Sequence, residues 1–372
     1  MVRLQIKPRA DFGARLESQG LSFHSWDNYW KEDACYSFTL AQIEELEAAT
    51  EELHAMCINA MKFAVENNRL AQLGIPEFFW DAIKNSIQQN DFSLYGRFDL
   101  AYDGVSPPKM LEYNADTPTS LLESGVCQWY WLQDVYPDQD QFNSLHEKLV
   151  AQWKLLPGDE AVHVASLADN EEDWVCAMYV IETIAQAGRI AKHIYVEDIG
   201  WDTERKIFVD ADQKPIKNLF KLYPWEWLMR ENFGQYIVES NTRFIEPIWK
   251  SVMSCKGLLP ILWELYPNHP NLLEAYFDSA NLTSYAKKPL YSREGANISL
   301  VDNGNTIASD DGPYGVEGYI YQALCKLPAF DNKYPVIGSW VVGNQSAGMC
   351  IREDVSPITT NMSNFVPHFF KN

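Results

Sequence analysis

Between Tyr95 and Asn114 the chain reads YGRFDLAYDGVSPPKMLEYN, two runs of alternating polar and apolar residues around a stretch rich in Asp, Gly, Ser and Pro. This pattern specifies an antiparallel hairpin. Alternate side chains of a strand share a face, so Arg97 and Asp99 point one way and Phe98 and Leu100 the other. Glu112 and Asn114 likewise share a face, with Leu111 and Tyr113 opposite. If the two polar faces coincide, two carboxylates and an amide oxygen meet beside one guanidinium. Such hard oxygen donors suit Mg²⁺, which takes few protein ligands and fills its other positions with water and phosphate oxygens. A solvated strand face with a surface Arg–Asp pair gives the same alternation, and the pattern alone leaves the two readings equal.

The flanking sequence places this hairpin in a mixed α/β chain. From Thr39 to about Asn67 the apolar residues Leu40, Ile43, Leu46, Leu53, Met56, Ala60 and Met61 recur near helical spacing, with Thr39 as cap. A short aromatic helix, EFFWDAIKNSI, follows Pro76. AVHVASL, a helix from Asn170 to about Ala187, and RIAKHIYV form a βαβ unit. Phe244 to Tyr266 combines a short extended piece with a helix, and Tyr285 to Val301 reads as strands around a Gly/Ala loop, with Asp302-Asn303-Gly304 as a turn. VIGSWVVG and MCIRED pair as a hairpin around NQSAG. With 47% hydrophobic residues the chain can bury one large core or two to three smaller lobes. Lacking tandem repeats and Ser/Gly linkers, residues 1–372 read as one unit of closely connected lobes.

Thirty Lys+Arg against 51 Asp+Glu give a net charge of -21, which repels nucleic acid and mildly favours a cationic substrate. Against that background the isolated cations Lys256, Lys288, Arg293 and Arg352 stand out. Phosphoryl transfer needs positioned cations more than covalent chemistry. Lys256 sits where a helix begins, which would add backbone donors, and the loop from Arg293 through Gly295 to Asn297 is small enough for backbone amides to approach phosphates. There is no G-x-x-x-x-G-K-[ST] motif, and a lysine taken singly is expected at the surface. Glu171 and Glu172 open the helix predicted to be capped by Asp169 or Asn170, where acids complement the helix dipole; a paired anionic site for an ammonium is the alternative. No G-x-S-x-G or G-x-G-x-x-G occurs, and the seven histidines are dispersed. The seven scattered cysteines fit reduced thiols, and the absence of a signal-like segment or an apolar run of ~20 residues points to a cytoplasmic protein with no membrane partner.

YGRFD with LEYNADTPTSLLE, followed by DNEEDW, FIEPIWKSVMSCKGLLPILWELYPNHPNLL, YAKKPLYSREGANISLV, IYQALCKLP and GMCIRED, resembles the synthetase domain of the glutathionylspermidine synthase family over nearly the whole chain. The likeness is greatest to stand-alone members, provisionally named acid–amine ligases, without the amidase domain of the bifunctional enzymes. It implies an ATP-grasp fold of atypical strand order with an associated pre-ATP-grasp-like α/β lobe. It further implies that an acid is activated by ATP as its acyl phosphate and then joined to an amine. On that pattern Asp99, Glu112 and Asn114 hold Mg²⁺, two ions in all, and Arg97 stabilises the acyl phosphate. Lys256 and Lys288 contact ATP phosphates, the loop with Arg293, Gly295 and Asn297 covers them, and Gln322 lies near the nucleotide. Thr117 and Thr119 bind a thiol-peptide acid, Glu171 and Glu172 bind a polyamine, and Arg352 borders the site. Pro224 stands where a substrate-contacting hydroxyl is expected, and Thr replaces Ser at both peptide positions. Thirteen Trp and 19 Tyr keep a carbohydrate-active enzyme with paired carboxylates as an alternative, and a nucleotide-binding protein without turnover is another.

Overall fold

The computed structural model describes residues 1–279 and 281–371. Its hairpin forms as the alternation requires: Tyr95–Ala101 pairs antiparallel with Lys109–Asn114, with Arg97 opposite Asn114, Asp99 opposite Glu112, and a bulge after Asp99. The two strands end a five-stranded antiparallel sheet whose order continues through Tyr334–Val342 and Gln345–Asp354 to Asn364–Phe365. On the apolar face Phe98 and Tyr113 stack with ring centroids 3.9 Å apart. A Cβ on Gly96 would lie 2.7 Å from the Tyr113 hydroxyl, so this close approach requires glycine there.

The helix Leu40–Glu66 covers that face. Thr39 caps it reciprocally, its hydroxyl accepting from the Gln42 N–H while the Gln42 side chain accepts from the Thr39 N–H. Two buried polar contacts fix the helix on the sheet: Thr50 to the Ser339 hydroxyl at 2.7 Å, and His54 Nδ1 to the Tyr113 hydroxyl at 3.0 Å. The start of the hairpin is held from below by Glu246, which accepts the N–H groups of Leu94 and Tyr95 and the Ser93 hydroxyl. Lys250, also fully enclosed, neutralises Glu246 at 3.4 Å and donates to the Tyr95 carbonyl at 2.9 Å.

Two further sheets complete the frame. Val162–Ser166, the helix Glu171–Gln186 and Ala191–Tyr195 make the expected βαβ unit, extended in parallel by Asn218–Lys221 and Arg243–Ile245. Asn170 is the cap, accepting from the Asp173 N–H at 3.0 Å. A second five-stranded sheet runs Ala275–Tyr276, Tyr319–Ala323, Tyr285–Pro289, Ser299–Asp302, Asn305–Ser309. Its last turn is tight because Asn303 and Gly304 both adopt positive φ. Two expectations need correcting. Phe244 to Tyr266 holds two helices, Lys250–Ser254 and Leu258–Leu265, because Cys255 turns extended and Gly257 lies where any Cβ would meet Leu73 at 2.6 Å. The C-terminal hairpin turns at Gly343-Asn344, so Ser346, Ala347 and Gly348 belong to a strand rather than to a loop. Among the described residues the cysteines are unpaired thiols, and no helix is long and apolar enough to cross a membrane.

The chain ends meet in a three-stranded sheet of Val2–Gln5, Ala34–Thr39 and His368–Lys371. It is tied to the central sheet by Arg3, whose guanidinium donates twice to the fully buried Glu353 at 2.7 and 2.8 Å, with the Tyr36 hydroxyl donating to the same carboxylate. Arg3→Met leaves Glu353 charged and enclosed, which is expected to cost about 3–5 kcal/mol. Thermal unfolding should show a clear drop in midpoint for Arg3→Met and partial recovery in Arg3→Met/Glu353→Leu; equal midpoints for parent and single variant would contradict this account of the pair.

Candidate functional site

A cavity of about 210 Å³ lies between the polar face of the central sheet and the second five-stranded sheet. Arg97, Asp99, Glu112 and Asn114 form one wall, Lys288 and Gln322 another, and Thr117, Thr119, Lys256, Arg293, Gly295 and Arg352 close the rest. The coincidence of polar faces that the alternation left open is therefore present. Asp99 accepts from Arg97 Nε at 3.1 Å, and Glu112 lies 3.2 Å from Lys256 Nζ and accepts from the Asn114 amide at 3.3 Å. Burial, together with Glu112 directly opposite, pushes the Asp99 carboxyl up despite Arg97. Burial also works against ionised Glu112, but Lys256 and Lys288 outweigh it and hold that carboxyl below its ordinary range.

This donor set fits a divalent ion. Among the described residues no group of three or more His, Cys, Asp and Glu side chains is arranged to hold a metal; beside the two carboxylates, the Asn114 amide lines the same wall as a further oxygen donor. The amide nitrogen faces Glu112, and rotating the amide by half a turn presents its oxygen instead. Two carboxylates and an amide match the sparse protein coordination of Mg²⁺ when phosphates and waters supply the other positions.

Lys256 and Lys288 are buried, contrary to the expectation that each lies at the surface. Lys288 Nζ donates to the Leu111 carbonyl at 2.9 Å and to Gln322 Oε1 at 2.8 Å. Burial pulls its pKa down to about 8, with Glu112 opposing and Lys256 adding to the fall. Lys256 Nζ donates to the Ser292 carbonyl at 2.8 Å. It precedes the helix rather than opening it, and its own N–H is committed to the Leu290 carbonyl, so the expected backbone donor is not free.

The loop 293–297 forms the roof. Arg293 donates to the Thr117 hydroxyl at 2.7 Å and to its carbonyl at 3.2 Å, joining the roof to the floor. Gly295, at φ +75°, lies where a Cβ would meet the Thr359 carbonyl oxygen at 2.6 Å. Asn297 does not line the cavity; its amide oxygen accepts the Tyr314 N–H and shapes the loop from outside. Arg352 lines the cavity, but its guanidinium is spread over the carbonyls of Thr360, Asn361 and Ser363, so it fastens the segment that packs against the roof.

The two acids behind the Asn170 cap separate. Glu171 is exposed, bonded to the Ser22 hydroxyl and outside the cavity, because the helix turns it outward. Glu172 faces inward beside Asn361 at 3.4 Å, and burial, then Glu123, push its carboxyl up to about 7 against the pull of Arg352. Sequence reasoning missed three enclosed acids nearby. Asp116 forms a buried pair with Lys221 at 2.6 Å and accepts the Trp225 N–H, bracing the cavity floor. Glu226 lines the floor, and Glu123 is 3% exposed behind Thr119. Only the DTPTSLLE context hinted at Asp116 and Glu123, and residue type argued against burial.

The family profile described as glutathionylspermidine synthase preATP-grasp matches residues 3–371. A Haemophilus influenzae protein provisionally named acid–amine ligase is 41% identical, with 97% of each chain covered. The bifunctional glutathionylspermidine synthetase/amidase of Escherichia coli is 30% identical over 89% of this chain and 58% of its own length, and trypanothione synthetase of Crithidia fasciculata 29% identical over 79% and 50%. The chain thus spans between half and three fifths of these two larger relatives. Among solved structures, a glutathione synthetase-like effector from Globodera pallida superposes with a TM-score of 0.60 at 9% identity, covering 98% of this chain and all of that one. A protein from Methylobacillus flagellatus provisionally named gamma-glutamylcysteine synthetase gives 0.50 at 10% identity, covering 83% and 86%. The fold is accordingly of the ATP-grasp type, and the sugar-cleaving alternative finds no support in these relatives. The chain belongs to the glutathionylspermidine synthase family, whose members named above are ligases and synthetases.

Proposed function

We propose that the chain is an ATP- and Mg²⁺-dependent carboxylate–amine ligase that forms an amide through an acyl phosphate. The observation that carries this reading is the meeting of Asp99, Glu112 and Asn114 with the buried lysines Lys256 and Lys288 in one cavity. Phosphoryl transfer depends on positioning and on charge neutralisation rather than on a protein nucleophile. Asp99, Glu112 and Asn114 would hold the metal, which when bound supplies charge neutralisation and polarises the phosphoryl oxygens. Lys288 from the facing wall and Lys256 beside Glu112 neutralise the nucleotide's phosphates, Gln322 fixes Lys288, and the roof with Arg293 and Gly295 excludes water.

In this reading Arg97 orients the acid. Its Nε is held by Asp99 and one terminal nitrogen by the Thr119 carbonyl at 2.8 Å, leaving the other terminal nitrogen to a substrate carboxylate. Thr117 and Thr119 line the acid's path, and Glu172 the amine's. A glutathione-like peptide and a polyamine form one candidate pair, given the names of the relatives. Pro224 caps a short helix with no hydroxyl to offer, so peptide contacts there differ from the expected pattern.

Incubating purified protein with Mg·ATP and panels of acids and amines should give ADP release that requires both partners; release with no pair by a folded protein would end the proposal. Asp99→Ala is expected to abolish amide formation while circular dichroism stays that of the parent, and unchanged turnover would remove the metal assignment. Lys288 supplies a pH signature. It is charged below about 8 and neutral above, so kcat/KM for ATP should fall as pH rises through that value. Lys288→Arg keeps the charge at every accessible pH and should lose this limb, whereas the same limb in both proteins would assign it elsewhere.

A further inference from the structure

A second hollow of about 10 Å³ opens beside Thr119, Arg352 and Asn361, which it shares with the main cavity. That volume suits one water-sized group. Phe23 and Tyr29 provide aromatic walls, and Glu123 and Glu172 bring two carboxylates. Glu123 is set in the helical turn Glu123–Cys127, and the Tyr29 hydroxyl donates to its Oε1 at 2.6 Å. Among the described residues no other side chain donates to this carboxylate, which besides Tyr29 meets only the residue's own backbone N–H although the residue is 3% exposed. Arg352 lies over the Tyr29 ring at 4.9 Å and faces both acids. Two carboxylates against one guanidinium leave the hollow with negative charge, and Arg352 is already engaged by backbone carbonyls.

An amine-consuming ligase has a proton to remove. A primary alkylamine, with a pKa of about 10.4 like that of lysine, arrives as an ammonium with no lone pair. We propose that Glu123 is the general base that takes this proton, with Glu172 opposite it holding the ammonium, an inference that rests on the ligase reading above. The N–H bond breaks, its electron pair stays on nitrogen and the proton passes to the Glu123 carboxylate. The nitrogen then bonds to the acyl carbon, the bond from that carbon to the phosphate oxygen breaks, and phosphate departs with the nitrogen's second proton as hydrogen phosphate. Glu123 suits the part better than Glu172 because it also feels Arg97, the group that orients the acid, and because Thr119, bonded to Arg97, borders the hollow. Burial raises the Glu123 carboxyl, while Tyr29, Arg352 and Arg97 restrain the rise. Cys127 and Cys176 nearby stay neutral thiols, and Glu294 faces Glu172.

The test compares Glu123→Gln with the parent, using the acid found by ADP release and two acceptors, a primary alkylamine and hydroxylamine, which is unprotonated at neutral pH and captures an acyl phosphate as hydroxamate. Glu123→Gln should lose about a hundredfold or more of its alkylamine rate, as expected for a missing general base, and far less of its hydroxamate rate. Equal losses would reduce Glu123 to a structural role and overturn the proposal. A parent that makes no hydroxamate would remove the acyl-phosphate reading and this inference with it. Tyr29→Phe gives an independent readout. The Tyr29 hydrogen bond lowers the Glu123 pKa, so deleting it should move the acid limb of kcat/KM for the alkylamine to higher pH; an unmoved limb would likewise overturn the assignment.

Discussion

Asp99 stands directly across from Glu112 in adjacent antiparallel strands, and that register is the constraint on which the site depends. Two like charges at a cross-strand position repel, yet here each is matched, Asp99 by Arg97 and Glu112 by Lys256. A slip of one residue in either strand would send its acid into the core and bring Phe98 or Tyr113 into the cavity in its place. Several devices oppose that slip: the Phe98–Tyr113 stack, the glycine beneath the Tyr113 hydroxyl, and the Glu246 carboxylate gripping the N–H groups at the strand's start. The long capped helix then holds the apolar face through Thr50 and His54.

Electrostatically the site has two halves. On a chain of net charge -21, Lys256, Lys288, Arg97 and Arg293 gather around one cavity, where low polarity strengthens each for an anionic ligand. The adjoining hollow has the opposite balance, its lining setting Glu123 and Glu172 against Arg352. An anionic nucleotide and acid on one side and a cationic amine on the other would each meet complementary charge. Thr119 and Arg352 lie at the border, where the activated carbon and the incoming nitrogen must come together.

Much of this was legible because short-range periodicity dictated it. The period-2 alternation gave the shared face of Arg97, Asp99, Glu112 and Asn114, and the Asn170 and Thr39 caps placed two helices closely. What periodicity could not supply was set by contacts distant in sequence. The break at Cys255–Gly257 follows from close approach to Leu73 and from the Leu290 carbonyl, neither visible in a run that continues as helix former. Glu123 is buried by Tyr29, 94 residues away, a contact that no local pattern signals. Glu171 and Glu172 looked equivalent until the helix was set against the sheet. Roles for individual residues came from the family resemblance, since alternation alone left a metal site and a solvated face equal.

The central claim is that the hairpin acids and the two buried lysines grip one metal-bound nucleotide. Crystals grown with Mn²⁺ and a non-hydrolysable ATP analogue test it most directly through the anomalous signal of the metal. The account predicts a peak bounded by Asp99, Glu112 and the Asn114 amide oxygen, with nucleotide phosphates between it and Lys256 and Lys288. Nucleotide bound with its metal away from these three residues would contradict it.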